Sequence, residues 1–240
     1  MAIATLRRHL KTVKINGARV VPFGAKKEGV MAGRKLKLGA SGIKSYSSEM
    51  PRAVLGAQTA QRAFRLKGAK NAKVRIRREI GFANFFNDEK KAMQVLADKF
   101  KNNELEGRNA WLKGDNFEGS MKPAKQIAET VIKKRLGLAL AAEAGKGGLG
   151  RKAVPIKDVL LDNVTHSWIV ESVVQRLTKG RSKKPLLANT VKETEGLVIF
   201  FQKQPNKKFR VRLSYEEFSG DVTKNFAACV QGSLKKYLDV

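Results

Sequence analysis

Twenty of the first eighty residues are Lys or Arg, and only three of them, Glu28, Glu49 and Glu79, are acidic. Over 240 residues the chain holds 49 basic and 21 acidic side chains, a formal charge of +28. Self-repulsion on that scale works against any compact state unless a polyanion is close by. The charge is uneven, at +17 over residues 1–80 and +11 over residues 81–240. Hydrophobic residues make up 42% of the chain, so it has the material for a core and is no disordered basic arm. Its length suits one large domain or two small ones.

Asn16-Gly17, set between Val13/Ile15 and Val20/Val21, supplies the positive φ angles of a tight turn and predicts a β-hairpin over 11–22. Residues 24–48 are glycine-rich and basic and read as an extended arm or long loop. A helix is expected over 51–66, with Val54, Ala57, Gln61 and Phe64 along one face. In the densest basic stretch, 67–80, Val74 and Ile76 alternate with Lys73, Arg75 and Arg77. A strand there carries an apolar face and a cationic one.

Further helices are predicted over 87–101, 123–144 and 155–179. The first has Met93, Leu96, Ala97 and Phe100 as its stripe and Asp88 and Glu89 in its first turn. Residues 102–121 are polar and glycine-broken, anchored by Trp111 and Phe117. A second hairpin over 197–213 and a helix over 221–238 complete an α+β order without βαβ alternation. The expected organisation is a strongly basic arm and hairpin region, 1–80, before an α+β core domain, 81–240.

Motif chemistry is sparse. The run 145–150 fits G-x-G-x-x-G but follows a helix rather than a strand, so it reads as an interhelical loop and not a dinucleotide site. His166 falls within the expected 155–179 helix and reads as a packed side chain. His9, among Arg7, Arg8 and Lys11, suits phosphate contact. The single cysteine, Cys229, lies on an apolar stripe and reads as core; it rules out an intramolecular disulfide. No His/Cys spacing fits zinc, acidic pairs are too few to converge, and neither metal nor cofactor is expected. No apolar run approaches a membrane span, and the N-terminus lacks the apolar segment of a secretory signal. A cytoplasmic location, or one within a virion or ribonucleoprotein particle, is the expectation.

These features lead to a non-enzymatic, strongly basic structural protein that binds nucleic acid through the phosphate backbone without base specificity. DNA and RNA are equally open. The expected contacts are Arg7, Arg8, Lys11, Lys14, Arg34, Lys35, Lys37, Arg62, Arg65, Lys67, Lys70, Lys73, Arg75, Arg77 and Arg78, with Lys179, Arg181, Lys183 and Lys184 in a second turn. Tyr46 is the one aromatic placed to stack on a base. The alternative is a structural subunit of a viral or phage particle, a connector or ring protein, whose basic arm meets protein partners. Self-association or a larger assembly fits either reading. A nucleic-acid-processing enzyme without a recognisable motif is the third option.

Overall fold

A seven-stranded mixed sheet organises the chain. The computed structural model describes residues 2–9, 13–15, 18–20, 42–65, 74–144, 159–179, 196–215, 218–230 and 232–240. The strands are β1 (Ala2–Arg8), β2 (Val13–Ile15), β3 (Ala18–Val20), β4 (Gly42–Ser47), β5 (Arg75–Ile76), β6 (Val159–Thr165), β7 (Gly196–Lys203), β8 (Phe209–Tyr215) and β9 (Phe218–Asp221). The order across the sheet is β5-β4-β6-β1-β7-β8-β9. The four strands β5, β4, β6 and β1 run parallel, and β7, β8 and β9 continue antiparallel. β2 and β3 pair Val13 with Val20 in a separate hairpin, as the Asn-Gly signal predicts.

The helices are α1 (Pro51–Arg65), α2 (Glu89–Phe100), α3 (Glu104–Leu112), α4 (Ala124–Val131), α5 (Gly137–Glu143), α6 (Ser167–Thr178), α7 (Thr223–Cys229) and α8 (Gly232–Lys235). A π-helical turn, Ile132–Leu136, joins α4 to α5. One sheet face is covered by α1, where Ala53, Ala57 and Ala60 meet Ile3, Ile43, Leu160 and Val164. The other holds the larger core, in which Ala4, Leu6 and Leu161 pack with Trp111, Ile127, Val131, Val170 and Val173. Strands apolar on both faces need both covers. The mixed α+β class is as expected.

Several boundaries differ from the sequence reading. The expected helix over 155–179 is a strand, β6, followed by α6. β6 is buried on both faces, so Leu160, Leu161 and Val164 read as a continuous apolar run that a buried helix also shows. Within the expected arm 24–48, residues 42–47 form the buried strand β4; 24–41 lie outside the described residues. β5 is short, and Ile76, placed by alternation on an apolar face, is 53% exposed at the sheet edge. β1, unanticipated, lies between β6 and β7. A helix, α3, opens within 102–121, capped by the Asn103 side chain, while Trp111 and Phe117 are buried as expected. In α2, Asp88 caps through its side chain to the Lys91 N–H, and Ala92 and Val95 rather than Met93 face inward. The expected helix over 221–238 breaks at Val230 into α7 and α8. β1 and β4, from before residue 80, pair with β6 and β7 from beyond it, and β5 pairs with β4. Among the described residues no helix is long and apolar enough to cross a membrane.

Candidate active site

Parallel strands deliver their C-terminal ends to one edge of the sheet, and a strand inserted out of sequence order opens a crevice there. Here β6 returns between β1 and β4, so the residues after β1 and β6 become neighbours. Those residues are His9 and His166. The His9 backbone N–H donates to Thr165 O at 2.9 Å, and the two imidazoles meet edge to face with centroids 5.2 Å apart. Both are almost fully buried, at 7% and 5% exposure.

Two further segments close on the same edge. Ser48 N–H donates to Val164 O at 3.0 Å, tying the end of β4 to β6. Arg52 follows in the first turn of α1. The turn after β5 is held by Thr165 Oγ1, which donates to Ile80 O at 2.7 Å. That turn carries Glu79 and Phe82, whose ring lies 5.2 Å from His166. Gly81 in the same turn lies against the Glu49 carboxylate, which accepts from Ala83 N–H at 3.2 Å.

The site is electropositive. Burial, then the charges of His9, Arg52 and Arg8, push the His166 pKa down to about 3. His166 Nε2 is buried without a hydrogen-bond partner among the described residues. A neutral imidazole beside two guanidinium groups is suited to an anion with several oxygens, each accepting from N–H donors. No group of three or more His, Cys, Asp or Glu side chains able to hold a metal occurs among the described residues.

Networks on both faces hold this edge in place. On the α1 side, Arg7 Nε and Nη2 donate to Asp162 Oδ1 and Oδ2 at 2.7 and 2.8 Å, and Nη2 also donates to Gly56 O at 3.1 Å. Thr5 Oγ1 adds a bond to Asp162 Oδ1 at 2.8 Å. On the other side, Arg135, from the π-helical turn, donates to Asn163 Oδ1 and to Glu79 Oε1, both at 3.2 Å, and lies over the Tyr46 ring. π turns often mark functional sites.

The sequence-predicted contacts scatter. Arg7 is 2% exposed and committed to Asp162, so it is no surface contact. Arg8 lies at the histidine pair. Arg62 is exposed on α1, and Arg75 and Arg78 are exposed at the β5 edge, with Arg77 half-buried against Tyr46. Lys179 ends α6, about 18 Å along a twelve-residue helix from His166. Lys11, Arg34, Lys35, Lys37, Lys67, Lys70, Lys73, Arg181, Lys183 and Lys184 lie outside the described residues, as do the side chains of Lys14 and Arg65. Tyr46, at 2% exposure under Arg135 and Arg77, is closed to a base. Cys229 is core as expected, and burial pushes its thiol up. The run 145–150 is outside the described residues. His166 and Arg52 were missed as site residues. The available signal was slight: His9 follows the segment Ala2–Leu6 with Arg7 and Arg8 between, and His166 follows the segment Val159–Val164 with Thr165 between.

No family model matches the chain, and no curated protein is similar to it in sequence. Solved structures are similar in fold. A mycobacterial hydrolase aligns with TM-score 0.54 at 15% identity, over 95% of each chain. A second mycobacterial hydrolase aligns with TM-score 0.53 at 15% identity, over 91% of this chain and 99% of its own. A mycobacterial glucosyl-3-phosphoglycerate phosphatase in complex with VO3 aligns with TM-score 0.50 at 14% identity, over 89% and 97%. The chain therefore shares its fold with these structures. This overturns the expectation of a non-enzymatic, nucleic-acid-binding structural protein and that of a viral or phage particle subunit. The reading of the chain as no enzyme falls with them, and nothing supports a virion or ribonucleoprotein location. Total charge misled because it reports the surface, whereas the two histidines and Arg52 are too few to register in composition.

Proposed function

We propose that the chain is a phosphomonoester hydrolase working through a phosphohistidine. The observation that carries this reading is the meeting of His9 and His166 at neighbouring strand ends, with Arg8 and Arg52 acting on the same imidazole. The fold it shares with a phosphatase captured with VO3 supports the same chemistry.

Nucleophilicity falls as basicity falls, so His166, held neutral to about pH 3, is a poor nucleophile and a good hydrogen-bond donor. His9 attacks phosphorus, forming the N–P bond as the bond to the leaving oxygen breaks. Arg8, Arg52 and His166 take the charge spread over the non-bridging oxygens. Glu79, on the turn clamped to Thr165 and ion-paired with Arg135, relays a proton from water to the departing alkoxide. Water then attacks the phosphohistidine, Glu79 relays a proton from it back to solvent, and inorganic phosphate leaves with His9 regenerated.

Phosphatase assays on p-nitrophenyl phosphate, with acid-labile, alkali-stable label trapped from ³²P-substrate, test the proposal. His9→Asn is expected to lose about 10³-fold or more in kcat and all trapped label. Turnover or label surviving in that variant would refute the assignment. Glu79→Gln is expected to slow alkyl phosphates by about 10²–10⁴-fold. It should spare p-nitrophenyl phosphate, whose leaving group needs no proton. Equal losses on both substrates would remove Glu79 as the acid.

A further inference from the structure

Of the cations beside Tyr46, only Arg135 touches the chemistry above, through its ion pair with Glu79. The Arg135 guanidinium lies 3.9 Å from the Tyr46 ring centroid and that of Arg77 lies 5.5 Å from it. Arg75 pairs in register with Tyr46 across β4 and β5, and its side chain is exposed. Lys44 shares the Tyr46 face of β4. Burial and then the charge of Arg75 hold Lys44 below the usual lysine range. Arg135 backs the group from inside at 3% exposure, and its Nη2 is buried without a hydrogen-bond partner among the described residues. The carboxylate paired with Arg135 is Glu79, at 3.2 Å. The buried Arg135 and half-buried Arg77 guanidinium groups against one ring, with Lys44 and Arg75 on the same face of the sheet, concentrate positive charge that a bound anion offsets.

This group adjoins the histidine pair. β4 neighbours β6, and Arg77 N–H donates to Ser47 O at 2.8 Å at the same edge of the sheet. Arg135 reaches both sides through Glu79 and Asn163. A strand spacing of about 4.8 Å places β4 and β5 roughly 5–10 Å from the strand that delivers His166, which is the span of a sugar-sized skeleton.

We propose that Lys44, Arg75, Arg77 and Arg135 form a second anion subsite that takes a further phosphate of the substrate, so that the preferred substrate is a small molecule bearing two or more phosphates. This rests on the phosphatase reading of the histidine pair. Guanidinium groups suit it because they bind phosphate oxygens in pairs.

The test separates binding from turnover. Fructose 6-phosphate and fructose 1,6-bisphosphate are titrated by calorimetry into the full chain carrying His9→Asn. The bisphosphate is expected to bind about tenfold tighter or more. Adding Arg75→Ser and Arg77→Ser should bring the two ligands within about threefold while leaving the monophosphate unchanged. Arg75→Lys with Arg77→Lys, which keeps the charge, should restore part of the preference. In the chain with His9 intact, the serine pair should raise KM for the bisphosphate and leave p-nitrophenyl phosphate hydrolysis unaltered. No preference in the parent, or a preference that survives the serine pair, overturns the subsite. So does inorganic phosphate filling an Arg75/Arg77-dependent site without competing with the bisphosphate. If the bisphosphate binds as expected but no phosphomonoester is hydrolysed, the subsite stands and the phosphatase reading fails. If p-nitrophenyl phosphate is turned over through His9 and the preference is absent, the subsite alone fails.

Discussion

A buried imidazole surrounded by cations links stability to pH. The folded chain holds His166 neutral down to about pH 3 because burial and the charges of His9, Arg52 and Arg8 all oppose its proton. The unfolded chain takes that proton near pH 6.5. Between those values the unfolded state binds more protons, so stability falls as pH drops from about 6.5 toward 3. The loss attributable to one such group is at most about 1.4 kcal/mol per pH unit. Urea midpoints of the parent and of His166→Gln, compared from pH 7 to pH 4, are expected to converge on acidification, the parent losing stability faster. Parallel curves would mean that His166 takes up its proton in the folded chain. The same geometry explains why the residue was misread. A histidine in the middle of an apolar helix is a packing residue, whereas one at the end of a parallel strand faces the crevice. The spacing Val164-Thr165-His166-Ser167-Trp168 does not by itself distinguish the two.

At the scale of elements, the sequence revealed those with local signals and hid those defined by long-range pairing. The Asn16-Gly17 hairpin, α1 and the β7–β8 hairpin carry turn residues or helical periodicity and were legible. β1, β4 and β6 pair only with segments distant in sequence, and both of their faces are buried, so neither alternation nor turn chemistry marked them. What distinguishes β1 and β6 is a fully committed buried charge in each, Arg7 and Asp162. The two are 2% and 0% exposed and bridge the strands that carry the histidines, with a further bond to the α1 backbone at Gly56. Removing one partner leaves the other charged and buried, whereas replacing both with apolar residues of similar size does not. Asp162→Ala is expected to cost about 3–5 kcal/mol in urea denaturation. Arg7→Met with Asp162→Leu should recover most of that loss. If the double replacement is as unstable as the single one, the pair does more than fill and neutralise the sheet interior.

For the whole molecule, the decisive quantity is where the few acids go. Asp162 and Glu171 are fully buried, paired with Arg7 and Arg108, and Glu79 is drawn to Arg135. Each such pair takes one positive and one negative charge into the interior, so the net excess of the chain is left on its remaining side chains. Total charge was legible in the sequence, but this partition was not, because it depends on which strands and helices meet. The surface excess opposes folding by self-repulsion and attracts anionic substrates, and salt screens both effects over a Debye length of about 10 Å at 0.1 M. Two opposite salt responses are therefore expected from one preparation. Between about 20 and 300 mM sodium chloride the thermal midpoint should rise as repulsion is screened, while kcat/KM for a phosphomonoester should fall, mainly through KM. Buried pairs such as Arg108 with Glu171 are screened far less, so the rise reports the surface. A midpoint that falls with salt would mean that favourable surface ion pairs outweigh the repulsion. A salt-independent KM would place the attraction for substrate wholly within the buried site.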